Sequence, residues 1–529
     1  MSDYYSPAQG SRAGGLPSQP AVDSGGSTVV EFGYEQELER GTGPFASFAV
    51  AFAFVSIATG IFTTYGSVLK SSGPAGIWTW PIVVVGQLMV AYIFGALAAR
   101  IPVTGYAYQW MSRLANPVLG WIMGWASFAF LVVVVVAVDY TIASTVLPGL
   151  LNYSGTPVNG WVITAVVLVA QALLVGLSTR WTERVNNFAV SAELIGMVLL
   201  VVLLLVVGAV ARQYNLGNLL STGTAPVQGY FALGTLTHVG PWMIGTLLGA
   251  FTIVGFESAA NLAEETDQPA RVVPRSMAQA VLASGVLGFL FLIAVTVLAG
   301  DPVALAQSNT PIVDVIDRVL GRYVGTALLV LVVISIFACG MVIFMTAVRL
   351  VWAMSRDQRF PGYRLWRTVS SRYATPLAAT GGVFVAAELI LAVFALQTDA
   401  LFSLFSAGTL LPALIYAATV ALYIVKRKAL PPSQGFTLGK WENPVIVLAV
   451  VWLVFELSLF RDSSFAAPWL YILVMVAIGA VYLVGLLIKR GGPSSLAMPG
   501  MRSIDAELES ELPAEPESDP EGARGKDPK

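Results

Sequence analysis

The chain of 529 residues is poor in the side chains that carry most enzyme and metal chemistry. It has one cysteine, Cys339, so no intrachain disulfide can form, and one histidine, His238, so a histidine-rich metal centre is not expected. The phosphate-binding pattern G-x-x-x-x-G-K-[ST] is missing, which argues against ATP-driven pumping by this chain. Charge is scarce as well. Only 11% of residues are charged and 56% are hydrophobic, whereas average soluble proteins carry about 25% charged residues. A soluble enzyme of this size could not cover a water-facing surface with so few charges. The composition is that of a polytopic membrane protein.

What the sequence does have is long apolar runs. A bilayer core of about 30 Å needs about 20 mostly apolar residues per helix. Twelve such stretches are expected near 45–69, 76–99, 118–147, 160–178, 188–211, 241–263, 276–299, 323–350, 376–397, 401–425, 444–461 and 467–488, each closed by Gly, Pro or charge. The ninth contains Glu388. The predicted class is an all-α membrane protein. The ends, 1–43 and 491–529, are rich in Gly, Ser, Pro and Glu and are expected to be disordered tails around a transporter domain at 44–490. The first end lacks a basic start followed by an apolar run, so no signal peptide is read there, and the first span is expected to target the chain.

The net charge of −2 conceals a segregation. The two tails hold 15 acids and 6 bases, leaving 16 acids and 23 bases of the totals 31 and 29. An even number of spans puts both tails on one side. With the tails inside, 18 bases face inward, among them Arg100, Arg113, Arg271, Arg275, Arg349 and Arg356. Five face outward: Lys70, Arg212, Arg318, Arg322 and Arg461. The positive-inside rule then places both termini in the cytoplasm, with the chain in the plasma (inner) membrane. The surplus positive charge is a topology signal, and no nucleic-acid partner is expected. The 13 Trp and 18 Tyr, including Trp78, Trp80, Trp121 and Trp242, are expected mainly at the membrane interfaces. His238, in a predicted outer loop with no partner cluster, reads as incidental.

Two spans contain features that an ideal membrane helix avoids. The first holds Ser56-Ile57-Ala58-Thr59-Gly60-Ile61-Phe62, and the sixth holds Phe251-Thr252-Ile253-Val254-Gly255-Phe256-Glu257-Ser258. Gly, Ser and Thr also serve close packing between membrane helices. Matching interruptions in spans one and six, one with a carboxylate, instead suggest two five-helix repeats, about 44–211 and 241–425, with two further helices at 444–488. A broken helix exposes N–H and C=O groups at mid-membrane, where only ligand, water or buried protein can satisfy them. Amides at a half-helix N-terminus attract a carboxylate, and freed carbonyls attract an ammonium.

Three blocks give the chain a family resemblance: GPFASFAVAFAFVSIATGIF from Gly43, PVTGYAYQWMSRLANP from Pro102, and GFESAANLAEETDQPARVVPR from Gly255. They resemble the first helix, the connection after the second helix, and the sixth helix with its loop in the amino acid, polyamine and organocation (APC) permease superfamily. The resemblance is greatest to its amino acid, GABA and choline permease branch. It implies a LeuT-like inverted-repeat fold and alternating access around a central site. By position, the backbone at Ala58, Thr59 and Gly60 would hold a substrate carboxylate. Carbonyls near Ile57, Phe251 and Val254 would hold an amine, with Thr252 and Gly255 in the same lining and Phe251 or Phe256 as a lid. Ala96 departs from the pattern, since many relatives have Glu there.

Five acids fall at apparent membrane depth, Asp139, Glu193, Glu257, Glu388 and Glu456, and such residues are costly enough to suggest function. Glu257, beside the second break, is the first candidate for amine binding or proton coupling. Glu193 aligns with a fifth-helix position where some sodium-independent relatives carry Lys, so it could carry a proton, complete a Na+ site or make a structural hydrogen bond. Asp139 could attract a cationic substrate. Glu388 and Glu456 read as structural or interface-facing. Glu264, Glu265 and Asp267, with Arg271 and Arg275, could form an inner gate or a solvated loop.

The expected function is a secondary carrier, not an enzyme, that imports an amino acid or small amine such as GABA, choline, ethanolamine or a polyamine by proton symport or exchange. No cofactor is expected beyond a coupling proton or Na+. The expected partners are the small-molecule substrate and the lipid bilayer, and the sequence sets no oligomeric state. A major-facilitator carrier would show G-x-x-x-D-R-x-G-R where this chain has RIPVTGYAYQW. A membrane-embedded metal enzyme would need more than one His. A channel would differ by lacking saturable counterflow.

Overall fold

The computed structural model describes residues 32–38, 40–151, 153, 156–308, 310–394, 400–433 and 435–496. Among them every long element is a helix and no strand forms; one isolated parallel bridge joins Thr42 and Thr266. The helices used below are α1 (Pro44–Val55), α2 (Ile57–Ser71), α3 (Trp80–Ala98), α4 (Tyr106–Leu114), α5 (Pro117–Thr141), α6 (Pro157–Leu177) and α7 (Thr179–Val210). Next come α8 (Pro241–Gly245), α9 (Leu247–Thr252), α10 (Ser258–Asn261), α11 (Pro269–Val297), α12 (Pro311–Leu320), α13 (Arg322–Arg356), α14 (Leu377–Phe394), α15 (Ala400–Lys426), α16 (Glu442–Leu459) and α17 (Ala466–Arg490).

Local chemistry sets many of these boundaries. Proline occupies the first turn of α1, α3, α5, α6 and α11, where its missing N–H costs nothing. Asn116 caps α5 by accepting the Leu119 amide at 2.8 Å, and Ser178 separates α6 from α7 by accepting the Trp181 amide at 3.3 Å. α13 runs for 35 residues, about 50 Å, so it projects beyond a bilayer core and carries Arg349 and Arg356 in its final turns.

Ten helical segments among the described residues are long and apolar enough to cross a membrane. The other two expected spans differ for physical reasons. α14 holds 18 residues, and the end of that expected span, 395–397, lies outside the described residues. The stretch expected at 241–263 is divided into α8, α9 and α10, and between α9 and α10 the backbone leaves helical geometry at Ile253 and Gly255. The core is formed where α1 and α3 pack on α11, and where α5 packs on α13 and α15. Outside it, α6, α16 and α17 present exposed apolar side chains such as Val166, Val451 and Val481, a surface suited to lipid.

The first tail was expected to run to residue 43, and described residues within that range are packed against the bundle. Tyr34 and Leu38 are buried, and the Arg113 guanidinium donates to the Phe32 carbonyl at 3.1 Å. At the other end Leu496 is buried, and its carbonyl accepts from Arg359. Both described ends therefore pack on one face, near the turn that follows α13. The rest of the two expected tails, 1–31 and 497–529, lies outside the described residues.

Candidate functional site

The first break falls at Ser56, whose φ of 33° and ψ of 96° are a conformation that non-glycine residues seldom adopt. Ser56 compensates by capping the helix it starts. Its Oγ accepts the Thr59 amide at 3.3 Å and lies 2.7 Å from Thr59 Oγ1. The amide end of α2 also meets a side chain from α7: Glu193 Oε1 accepts the Ala58 N–H at 3.2 Å and the Ser56 hydroxyl at 3.3 Å. The Gly60 amide returns to the Ser56 carbonyl at 3.1 Å. A carboxylate at a helix N-terminus is a favourable electrostatic arrangement, and here the protein supplies that carboxylate itself. Ile57, Ala58 and Thr59 are all buried.

The second break follows α9. Ile253 has φ −94° and ψ 62°, and Gly255 has φ +82°, a region open to glycine at little cost. Tyr416 of α15 ties the unwound turn together. Its hydroxyl accepts the Gly255 N–H at 2.9 Å and donates to Glu257 Oε2 at 2.6 Å. Phe256 is buried among aromatic rings, 6.0 Å from Phe94 and 5.3 Å from Tyr416. Phe251 is also buried, with Val254 beside the break, and it approaches Gly408.

The two breaks fit against each other. The Phe54 ring, two residues before Ser56, fills the space that a Cβ on Gly255 would need, and the Thr252 side chain fills that space at Gly60. Ser258 Oγ, just past the second break, donates to the Val50 carbonyl at 3.3 Å. Each glycine is thus required by close approach of the other half of the site.

α13 contributes a residue that the sequence did not suggest. Cys339 is buried, and its thiol donates to the Phe54 carbonyl at 3.3 Å, at the end of α1 where helical bonding stops. The next residue, Gly340, lets Asp139 approach, since a Cβ there would overlap Asp139 Oδ1. Asp139 Oδ1 accepts from Gln171 Nε2 at 2.8 Å, and its Oδ2 has no hydrogen-bond partner among the described residues. Of the acids singled out from the sequence, Glu193 sits at the first break, Glu257 at the second, and Asp139 one helix away across Gly340. Glu456 lies elsewhere, accepting from Gln87 Nε2 at 3.2 Å between α16 and α3, and Glu388 is half-buried on α14.

Tyr416 and Gln171 were also not singled out, because each lies in an apolar run with no local pattern. Their chemistry appears only when α15 and α6 are packed.

A second polar cluster lies on the face that carries the chain ends. Glu264 and Glu265 were grouped in sequence with Arg271 and Arg275, but both bond arginines of α13. Arg356 grips Glu264 at 2.9 and 3.0 Å, and Arg349 grips Glu265 at 2.9 and 3.2 Å. Sequence proximity misled here because α11 turns its first residues away, while α13 delivers its arginines across the bundle. Both acids are buried, so the solvated-loop alternative does not describe them, although Asp267 is exposed.

Residues 34–38 and 40–42 strap this cluster. Tyr34 donates to Asp357 Oδ1 at 2.8 Å while Arg356 stacks on its ring at 3.7 Å. Gln36 Nε2 donates to the Glu264 carbonyl at 3.0 Å, and the Gly41 and Thr42 amides donate to the Glu265 carbonyl at 3.1 and 3.0 Å. Burial, with the Asp357 charge adding to it, pushes the Tyr34 hydroxyl up to about 12.

Comparison with known proteins gives the family of the chain. The family described as "Amino acid permease" matches residues 43–481, from the residue before α1 well into α17. Amino-acid permease BAT1 of Arabidopsis thaliana is 26% identical over 477 residues, covering 82% of this chain and 88% of the relative. The GABA-specific permease of Saccharomyces cerevisiae is 24% identical over 441 residues, covering 79% and 75%. A putative polyamine transporter of Candida albicans is 23% identical over 448 residues, covering 80% and 78%. With the match spanning both broken helices and the apolar bundle around them, the chain is a multi-pass membrane protein that belongs to the amino acid permease family.

Proposed function

We propose that the protein is a secondary carrier that imports an amino acid or small amine by alternating access, with proton symport or exchange as the driving process. The observation that carries this reading is the packing of two helix breaks on one another, Phe54 against Gly255 and Gly60 against Thr252, with buried carboxylates at each. Buried carboxylates at such breaks suit a cation, a proton or both. In this reading the substrate occupies the junction of Ile57–Gly60 with Phe251–Phe256, and Phe251 or Phe256 closes over it. The fold is read as twelve spans: two inverted five-helix repeats, about 44–211 and 241–425, and two added helices at 444–488. The strapped Glu264–Arg356 and Glu265–Arg349 pairs then form the cytoplasmic gate of a plasma-membrane protein with both termini inside.

Amino acids, GABA and polyamines are the substrates to test, given the names of the relatives, with choline and ethanolamine added as further small amines. The test is counterflow in proteoliposomes preloaded with unlabelled substrate. Saturable, transient accumulation of label supports a carrier; uptake that rises linearly with concentration points to a channel. For coupling, Glu257→Gln is expected to flatten the pH dependence of uptake. Unchanged pH dependence transfers the coupling role to Glu193.

A further inference from the structure

The donors that would bind a substrate carboxylate in a broken first helix are the first free amides of its second half. In this protein those amides are already paired. The Ala58 N–H is held by Glu193, the Thr59 N–H by Ser56 Oγ and the Gly60 N–H by the Ser56 carbonyl. The open side of Gly60 is filled by Thr252. An incoming carboxylate would have to displace Glu193 or lie beside it, and two like charges in a poorly solvated site repel strongly.

The surrounding charge points the same way. Glu193, Glu257 and Asp139 are all buried, and their hydrogen-bond partners are neutral: Ala58 and Ser56, Tyr416, and Gln171. Among the described residues, none of the three forms an ion pair with Lys, Arg or His, and Asp139 Oδ2 has no partner at all. Arg349 and Arg356 of α13 are engaged by Glu265 and Glu264. Buried carboxylates without a protein cation are stabilised by a cation brought from outside.

We infer that the site selects a cationic amine that lacks a carboxylate, with Glu193 standing where the carboxylate of an amino acid would otherwise bind. This rests on the carrier reading above and narrows its substrate class. Glu193 is then a specificity-determining residue: its charge favours the ammonium, and its occupation of the α2 amides excludes the acid.

Matched ligand pairs test this directly on the purified full-length protein: putrescine against ornithine, ethanolamine against serine, and propylamine against 4-aminobutyrate. Affinities are read by calorimetry, with thermal shift as a second readout. In the wild type, the decarboxylated member of at least one pair is expected to bind about tenfold or more tightly than its partner. Glu193→Gln keeps an acceptor for the Ala58 amide but removes the charge, so it should weaken the amine about tenfold. Glu193→Ala frees the amides and should move the preference towards the carboxylated member.

A wild type that prefers the carboxylated members, or an amine-to-acid ratio that Glu193→Gln leaves unchanged, overturns the inference. If the variants do not fold, the wild-type ratio decides alone. Counterflow of amino acids without amine binding overturns this inference and leaves the carrier reading standing. Glu193-dependent amine binding without counterflow supports the inference and overturns the carrier reading. Failure of both binding and counterflow overturns the two together.

Discussion

The Tyr416 hydroxyl stands between two parts of one unwound turn, accepting the Gly255 amide at 2.9 Å and donating to Glu257 Oε2 at 2.6 Å. A single phenol from α15 therefore fixes both the backbone and the carboxylate of the second break. Tyr416→Phe leaves a buried amide and a buried carboxylate short of one partner each, at about 1–3 kcal/mol for each group. The expected outcome is a thermal midpoint lowered by several degrees and slower uptake. A variant with wild-type melting and uptake would show that the phenol holds neither group.

The single thiol provides a reporter of opening. Cys339 is buried against the Phe54 carbonyl, so a membrane-permeant alkylating reagent should modify the wild type slowly. Arg349→Gln removes one partner of a buried ion pair, a change that costs about 3–5 kcal/mol when the remaining charge stays uncompensated. It should accelerate Cys339 labelling, and Arg356→Gln should do the same. Labelling rates unaffected by either change would detach the polar cluster from control of access.

The strap can be weakened without removing the cluster. Tyr34→Phe deletes the bond to Asp357 but retains a ring for Arg356 to stack on, so a cost of about 1 kcal/mol is expected. Tyr34→Ala removes both contacts and should destabilise more and raise Cys339 labelling above that of Tyr34→Phe. Equal labelling in the two variants would show that the stacked ring contributes nothing to closure.

On the opposite face, Asp462 gives a pH signature. Partial burial pushes its carboxyl up, but the backbone amides of Ser464 at 3.0 Å and Val239 at 2.9 Å outweigh this and hold it below the usual carboxylate range. A lowered value in the folded protein means that the stabilisation is present at neutral pH. It is lost as pH falls from about 4, the usual carboxylate value, through the folded value. Asp462→Asn should therefore melt below wild type at pH 7, and the gap should close in acid. A gap that stays constant down to pH 3 would contradict this assignment.

Much of the architecture could be read from residue order. Runs such as Leu194 to Val210 are apolar on every side, so helix and membrane follow from composition alone. Gly60 and Gly255 announced the breaks because glycine and small polar residues sit where apolar side chains were due. Partnership was harder to read. Glu193 on the Ala58 amide joins positions 135 residues apart, and Tyr416 on Glu257 joins positions 159 apart. No local pattern encodes such pairs. Glu264 and Glu265 lie close in sequence to Arg271 and Arg275 yet bond arginines more than 80 residues away, because the length of α13 decides which charges meet. The packing of residues such as Tyr34 and Leu38 was hidden by the polar composition around them.

The central claim is that the two helix breaks together form the substrate site. It is tested most directly by amine uptake into proteoliposomes containing Gly255→Leu. That residue has φ +82° and the Phe54 ring in the way of any side chain, so leucine must force the breaks apart while the apolar spans still insert. With inserted protein verified by quantitation, the predicted result is loss of saturable uptake and of amine binding. Undiminished uptake by Gly255→Leu would contradict the site.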